Sequence, residues 1–243
     1  MNIFKFILAI GLFFLSLGLS AKETPKYVIQ KDYRNKLPPM VALEKLKEGN
    51  QRYLSRKTRQ HDYLAQSLFS AQHGQFPFAF ILNCMDSRSI PRIVFDQGVG
   101  SLFTASVAGN VVDTDMLASM EYAVYTGVKV IVVMGHTQCG AVEAACLNSG
   151  FGNIDALIRK IRPAVERLQR ISGGKINCED QTNITRIVLG NVYDMINFIK
   201  KHSPYLEKKI KNRDIIIVGA LHHLKTGEVD FYPDPMNILK LSS

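Results

Sequence analysis

Apolar residues along this chain fall into two kinds of run. Residues 77–82 and 128–134 are short and almost unbroken, and from Val130 four consecutive positions are β-branched. Runs of that length and kind predict strands buried on both faces. Residues 102–107 form a weaker strand candidate, 214–221 a further buried one, and 228–232 a short segment able to pair beside it. Between these runs the apolar positions recur at helical spacing. Leu43, Leu46 and Tyr53 mark a helix over 41–54, and Leu117, Met120 and Val124 mark one over 113–125. Another begins near Cys139 and ends at Gly150. Ile154, Leu157, Ile161, Val165 and Leu168 mark a fourth, kinked or restarted at Pro163. Ile184, Val188, Val192, Met195 and Ile199 mark a long fifth. Strands alternating with helices predict an α/β fold, a small and mostly parallel sheet flanked by helices.

The amino terminus departs from that pattern. Residues 1–5 are positive, 6–19 almost entirely apolar, and the small residues Ser20 and Ala21 follow. This is the layout of a secretory signal peptide, residues 1–21, cleaved after Ala21. The apolar run is shorter than the roughly 20 residues that a bilayer span takes, and no Cys follows it for a lipid anchor. The expectation is an exported protein, periplasmic or secreted, without stable membrane insertion once the signal is removed. Residues 22–39 are polar, carry Pro25, Pro38 and Pro39, and read as an extended arm. Residues 40–243 then form a single domain, which suits a chain of 243 residues. The net charge of +9 raises the question of nucleic acid. Lys and Arg are spread along the chain, however, and the densest group, around Lys200, Lys201, Lys208, Lys209 and Lys211, suits the wet face of a helical segment. No nucleic-acid-binding signature accompanies it, so no such partner is expected.

Two segments carry candidate chemistry, each next to the end of a predicted strand: Cys84-Met85-Asp86-Ser87-Arg88 and Gly135-His136-Thr137-Gln138-Cys139-Gly140. Ligands in open α/β sheets bind beyond the carboxyl ends of strands, so both segments point to one crevice. Two thiolates and one imidazole are a recurrent ligand set for catalytic zinc, with the fourth position left to water. Cys139 also stands where a helix begins, and the positive end of the helix dipole favours its thiolate. Asp86, on the same turn as Cys84, can either coordinate a metal held there or pair with Arg88. The first closes the site and the second leaves room for water.

Blander readings stand beside this one. Cys84 and Cys139 can form a disulfide in an oxidising compartment, or be small buried side chains. His136 alone reads as a satisfied core or loop histidine. Taken together, three ligand types at strand ends beside an acid and an arginine favour metal. Cys146 reads as a small helix residue and Cys178 lies in a polar loop; an exported protein can join them. Gly98-Val99-Gly100 lacks the third glycine of a dinucleotide loop.

At these two segments the chain resembles the β-class carbonic anhydrases. The likeness continues through Ala42-Leu43-Glu44-Lys45-Leu46, Phe95-Asp96-Gln97-Gly98, Val107-Ala108-Gly109-Asn110, Glu121-Tyr122-Ala123-Val124, Gly219-Ala220-Leu221 and Lys225-Thr226-Gly227, in order over most of residues 40–232. The resemblance implies a zinc-dependent carbonate dehydratase, in which a zinc-bound hydroxide reversibly hydrates carbon dioxide to bicarbonate and a proton. It implies Cys84, His136 and Cys139 as zinc ligands and Asp86 as either a fourth ligand or the partner of Arg88. Gln75 matches a glutamine that hydrogen-bonds substrate, and Phe103 and Tyr122 match positions lining the pocket near a subunit interface. A homodimer or higher homo-oligomer with interfacial active sites is therefore expected. Hydrolysis of carbonyl sulfide or carbon disulfide at the same site is an alternative, as is a non-catalytic zinc- or bicarbonate-binding protein. The chain departs from the family at Ser106, where many relatives carry an arginine that in some of them helps bind regulatory bicarbonate. It departs again at Met85, and at His222-His223, which replaces a common Tyr-Asp pair. Neighbouring strand residues face opposite ways, so at most one of the two histidines faces any shared site, and both read first as packing or surface residues.

Overall fold

The buried apolar runs become strands β1 (Ala79–Asn83), β2 (Leu102–Ser106), β3 (Val130–His136) and β4 (Ile216–His222), with β5 (Val229–Tyr232) closing one edge. This computed structural model describes residues 24–234 and Asn237, so the expected signal peptide lies outside the described residues. The strand order is β2-β1-β3-β4-β5, and only β5 runs antiparallel to its neighbour. Every residue of β1 and β3 is buried because helices cover both faces of the sheet. Alternate residues feed two cores. Ile131 and Val133 of β3 point to the larger core, and Val130, Val132 and Met134 to the smaller.

The smaller core is roofed by α2 (Pro39–Leu54), which opens on a proline at its first turn and buries Leu43 and Leu46. The larger is built on α5 (Thr114–Tyr125), α6 (Gly140–Leu147), α7 (Ile154–Ile171) and α8 (Gln181–His202). The side chain of Asp113 caps α5 by accepting from the Met116 N–H, and Asp180 caps α8 through Thr182. A short α4 (Pro91–Val94) follows the loop after β1, and α9 (Pro204–Lys211) precedes β4.

Three features differ from the sequence expectations. The arm contains a helix, α1 (Lys31–Lys36), rather than extended chain alone. It is held from outside: Arg34 is buried, and its guanidinium donates to the Thr126 carbonyl. A further helix, α3 (Tyr63–His73), lacks the apolar periodicity that would reveal it, its fully buried side chain being Gln66. Finally, α7 runs through Pro163 as one helix. Ile158 and Ile161 before the proline and Val165 and Leu168 after it enter the same core.

Candidate metal centre

The chain leaves β1 to form β2 on one side and returns to form β3 on the other, so the sheet's topological switch point lies between β1 and β3. Cys84 follows β1 directly and His136 ends β3. Gln138 takes a left-handed φ of 59°, which turns the chain sharply enough for Cys139 to become the N-cap of α6 beside them. Two glycines let other backbone close in. A Cβ on Gly135 would stand 2.4 Å from Val188, and one on Gly109 (φ 67°) would stand 2.6 Å from Ile161. The Gly109 N–H donates to Cys84 Sγ at 3.3 Å.

One candidate ligand atom from each of Cys84, His136 and Cys139 lies within 4.8 Å of the others, and all three residues are buried. Both cysteines are free and their sulfurs are 4.0 Å apart, so the alternative of a disulfide between them does not hold. His136 Nδ1 lies 2.9 Å from the Thr137 carbonyl. A carbonyl only accepts, so Nδ1 carries the proton and Nε2 presents its lone pair. That Nε2 is buried and has no hydrogen-bond partner. An orphaned imidazole nitrogen facing two sulfurs is an unexplained cost in a folded core and an ordinary arrangement around zinc, whose ligand histidines hold the other nitrogen in this way. The donor set fits the metal.

The charges follow from the same geometry. The hydrogen bond from Cys139 pulls the Cys84 thiol well down, helped by His136 and the Gly109 N–H. Cys139 moves up, first because its thiol is bonded to Cys84 and then through burial, so it keeps the proton of the metal-free pair. Backbone N–H groups of the first turn of α6 do pull Cys139 down, as the helix position suggests, but the neighbouring sulfur outweighs them. Burial alone would depress His136, whereas Cys84 and the Thr137 carbonyl raise it.

Asp86 is paired with Arg88. Its carboxylate accepts from the Arg88 backbone N–H at 2.9 Å, from Nε at 2.9 Å and from Nη2 at 2.8 Å. These bonds hold the carboxyl well below the usual range. Asp86 Oδ2 is 3.9 Å from His136 Nε2, so this anion borders the cluster without joining it. His222 and His223 part company as strand alternation requires. His222 is buried with Nδ1 2.9 Å from Ser89 Oγ, and burial followed by the charges on His136 and His223 pushes its pKa down to about 4. His223 is part-buried and reaches Asp230 at 2.9 Å. Ser89 was not among the candidate residues, because its partner is 133 positions away.

Gln75, Phe103 and Tyr122 lie elsewhere. Phe103 pairs in register with Phe80, four residues before Cys84, which is about 13 Å back along the strand. Phe80, Phe103, Ala105, Ala118, Tyr122 and Ala123 share an open groove that contains none of the three clustered residues. Gln75 is exposed on the loop entering β1 from the opposite end. Cys146 and Cys178 are joined as a disulfide, which ties the last turn of α6 to the loop before α8.

The carbonic anhydrase family profile matches residues 79–229. Carbonic anhydrase 2 of Mycobacterium tuberculosis is 31% identical over 195 residues, covering 78% of this chain and 90% of that protein. A β-carbonic anhydrase of Aspergillus fumigatus shares the fold with a TM-score of 0.63 at 24% identity, over 84% of this chain and 95% of that one. One of two tetrameric β-carbonic anhydrases of Sordaria macrospora does so with a TM-score of 0.57 at 23% identity, over 68% and 89%.

Proposed function

The chain belongs to the β-class carbonic anhydrase family and is a carbonate dehydratase, and on that premise we propose that it interconverts carbon dioxide and bicarbonate at a zinc ion held by Cys84, His136 and Cys139. The observation that carries this reading is the buried, partnerless Nε2 of His136 facing two free sulfurs. Zinc in that position would act as a Lewis acid that makes hydroxide available near neutral pH, the chemistry for which carbonic anhydrase is the reference case.

The chain's own residues supply the rest. Cys84 and Cys139, both as thiolates when a metal is bound, donate more charge than imidazoles would, which moves the working pH upward relative to an all-histidine site. Asp86, kept anionic by Arg88, is the acceptor that orients the attacking oxygen, and its pairing with Arg88 keeps it from filling the open side of the cluster. The substrate is small and apolar, and the wall that suits it is the groove containing Phe103 and Tyr122. One chain keeps that wall away from its own cluster. We assign the completion of each site to a second copy that brings Gln75, Phe103 and Tyr122 to the open side, in a homodimer or higher homo-oligomer. The exposure of Tyr122 (63%) and Tyr125 (80%) supports such a covered face.

Export is part of the same reading. The charged, apolar and small segments of residues 1–21 support it, and so does the Cys146–Cys178 bond, a kind that persists where thiols are not kept reduced. Among the described residues no helix is long and apolar enough to cross a membrane.

Stopped-flow hydration by the purified, zinc-loaded protein tests the proposal. The expected result is one zinc per chain and a rate far above buffer that rises toward alkaline pH. A rate equal to buffer across neutral and alkaline pH would end it.

A further inference from the structure

His222, the last residue of β4, is the register partner of His136, the last residue of β3. It touches both ligand-bearing loops. Through its main chain it holds the loop after β3, its carbonyl accepting from the Thr137 N–H at 3.0 Å, and two residues further on the Leu224 N–H donates to Thr137 Oγ1 at 3.1 Å. Through its side chain it holds the loop after β1, by the contact of Nδ1 with Ser89 Oγ.

Ser89 is the closing residue of the turn that carries Asp86 and Arg88. Its N–H donates to the Asp86 carbonyl at 3.0 Å, and its own carbonyl accepts from Asn83 Nδ2 at 2.9 Å. Asn83, the last residue of β1, also donates to the Cys84 carbonyl and accepts from Ser106 Oγ at 2.9 Å. A polar network therefore crosses the carboxyl end of the sheet from β2 to β4 and passes under the Asp86 turn. Asn83, Ser89 and His222 are each 2% exposed. Apolar side chains would fill that volume with less desolvation, so a buried polar chain whose members satisfy one another is explained by what it holds in place. What it holds is a carboxylate with two places to go, on Arg88 as observed or 3.9 Å across toward the cluster.

We propose that the Ser89–His222 hydrogen bond is a latch that fixes the Asp86–Arg88 turn against the sheet, so that Asp86 stays on Arg88 and the fourth side of the Cys84–His136–Cys139 cluster stays open to water. Ser89 and His222 are positioning residues for the reaction and touch none of its reacting atoms. The proposal rests on the zinc reading above. With the latch broken, the turn loosens and the Asp86 carboxylate reaches the metal in place of water.

The test uses the zinc-loaded full protein with Ser89→Ala, His222→Phe and the double variant, and the same set loaded with cobalt(II). Each single change is expected to lower kcat/KM on the order of tenfold at neutral pH, as loss of a partner behind a metal site does. The double variant is expected to be no worse than the weaker single, because the two side chains act as one unit. Zinc content should stay at one per chain. The visible spectrum of the cobalt protein should lose its pH dependence in the variants, since a carboxylate and not an ionising water then fills the fourth position. Ser89→Ala removes a single oxygen, so it remains informative if His222→Phe does not fold. An unchanged kcat/KM and a pH-dependent cobalt spectrum in Ser89→Ala would overturn the latch. So would additive losses that track falling melting temperature and zinc content. Wild-type protein that binds no zinc or hydrates no carbon dioxide would instead overturn the reading on which the latch depends.

Discussion

The carboxyl ends of β1 and β3 and the face formed by β2 and α5 are built on opposite plans. At the strand ends, a single chain assembles everything: Cys84, His136 and Cys139 are buried, and Asp86 has three bonds to Arg88. On the β2–α5 face, the groove beside Phe103 is open and Tyr122 stands mostly in water. A closed polar cluster can be made by one fold because hydrogen bonds fix its geometry locally. An open apolar wall is half of something, since its free energy is gained only when another surface covers it. One region is closed within a single chain, and the other is left open by it.

The largest effect that separates the two regions is loss of a clustered residue. Cys139→Ser or His136→Ala should release zinc and drop hydration to the buffer rate, while circular dichroism and the oligomeric state in analytical ultracentrifugation persist. Retained metal and turnover in either variant would mean that the cluster is not the centre.

Next comes the wall. Phe103→Ala combined with Tyr122→Ala should keep full zinc and lose most turnover. Mixing these subunits with Cys139→Ser subunits, after dissociation and reassociation, should restore activity. In a one-to-one mixture half of the dimers are hybrids, each with one site built from two intact halves, so recovery approaches about a quarter of the wild-type rate. No recovery in demonstrably hybrid dimers would place the wall and the cluster in the same chain's site after all.

A smaller effect is expected at the border between the regions. Arg88→Ala should cost on the order of 10- to 100-fold in kcat/KM, because Asp86 loses the partner that holds it off the cluster. It should also change the response to acid. The Asp86 pKa is depressed in the folded protein, so its pairing contributes stability above the ordinary value of about 3.9, and that contribution is lost as the pH falls through and below it. The stability gap between wild type and Arg88→Ala, measured by urea denaturation, should therefore narrow on acidification. A gap that is constant with pH would show the ion pair to be idle.

How far the sequence revealed these regions depends on whether the signal is local. Strand β3 was legible from four β-branched residues, and α8 from its buried apolar stripe, because both patterns report directly on burial. The clustering of Cys84, His136 and Cys139 was legible because Cys and His next to strand ends are few. The separation of Phe103 from Cys84 within a chain was not, since it follows from the β1–β2 register, which sets Phe103 opposite Phe80, and not from spacing along the sequence. Helix α3 escaped because Gln66, its buried residue, is polar, and the arm helix because Arg34 is fixed by a carbonyl 92 positions away. Ser89 and His222 were unreadable as a pair for the same reason. Pro163 does not restart the helix, because apolar residues on both sides of it share one core.

The smallest effect on turnover is expected at the Cys146–Cys178 disulfide, and it asks whether the strand-end region is rigid by itself. Helix α6 has Cys139 as its N-cap and Cys146 in its last turn, so the bond anchors the far end of the helix that begins at the cluster. The two cysteines are 32 positions apart, and releasing a loop of that length costs about 3 to 4 kcal/mol by chain entropy. Cys146→Ala with Cys178→Ala should therefore lower the melting temperature by about 10 °C in a chain of this size. Turnover below that temperature should stay within about twofold, because Cys139 is also held by the backbone turn at Gln138 and by packing in the larger core. If hydration and zinc content fall together with stability, the cluster is not self-supporting. The distinction between a complete region and an incomplete one would then reduce to a difference in how firmly each is clamped.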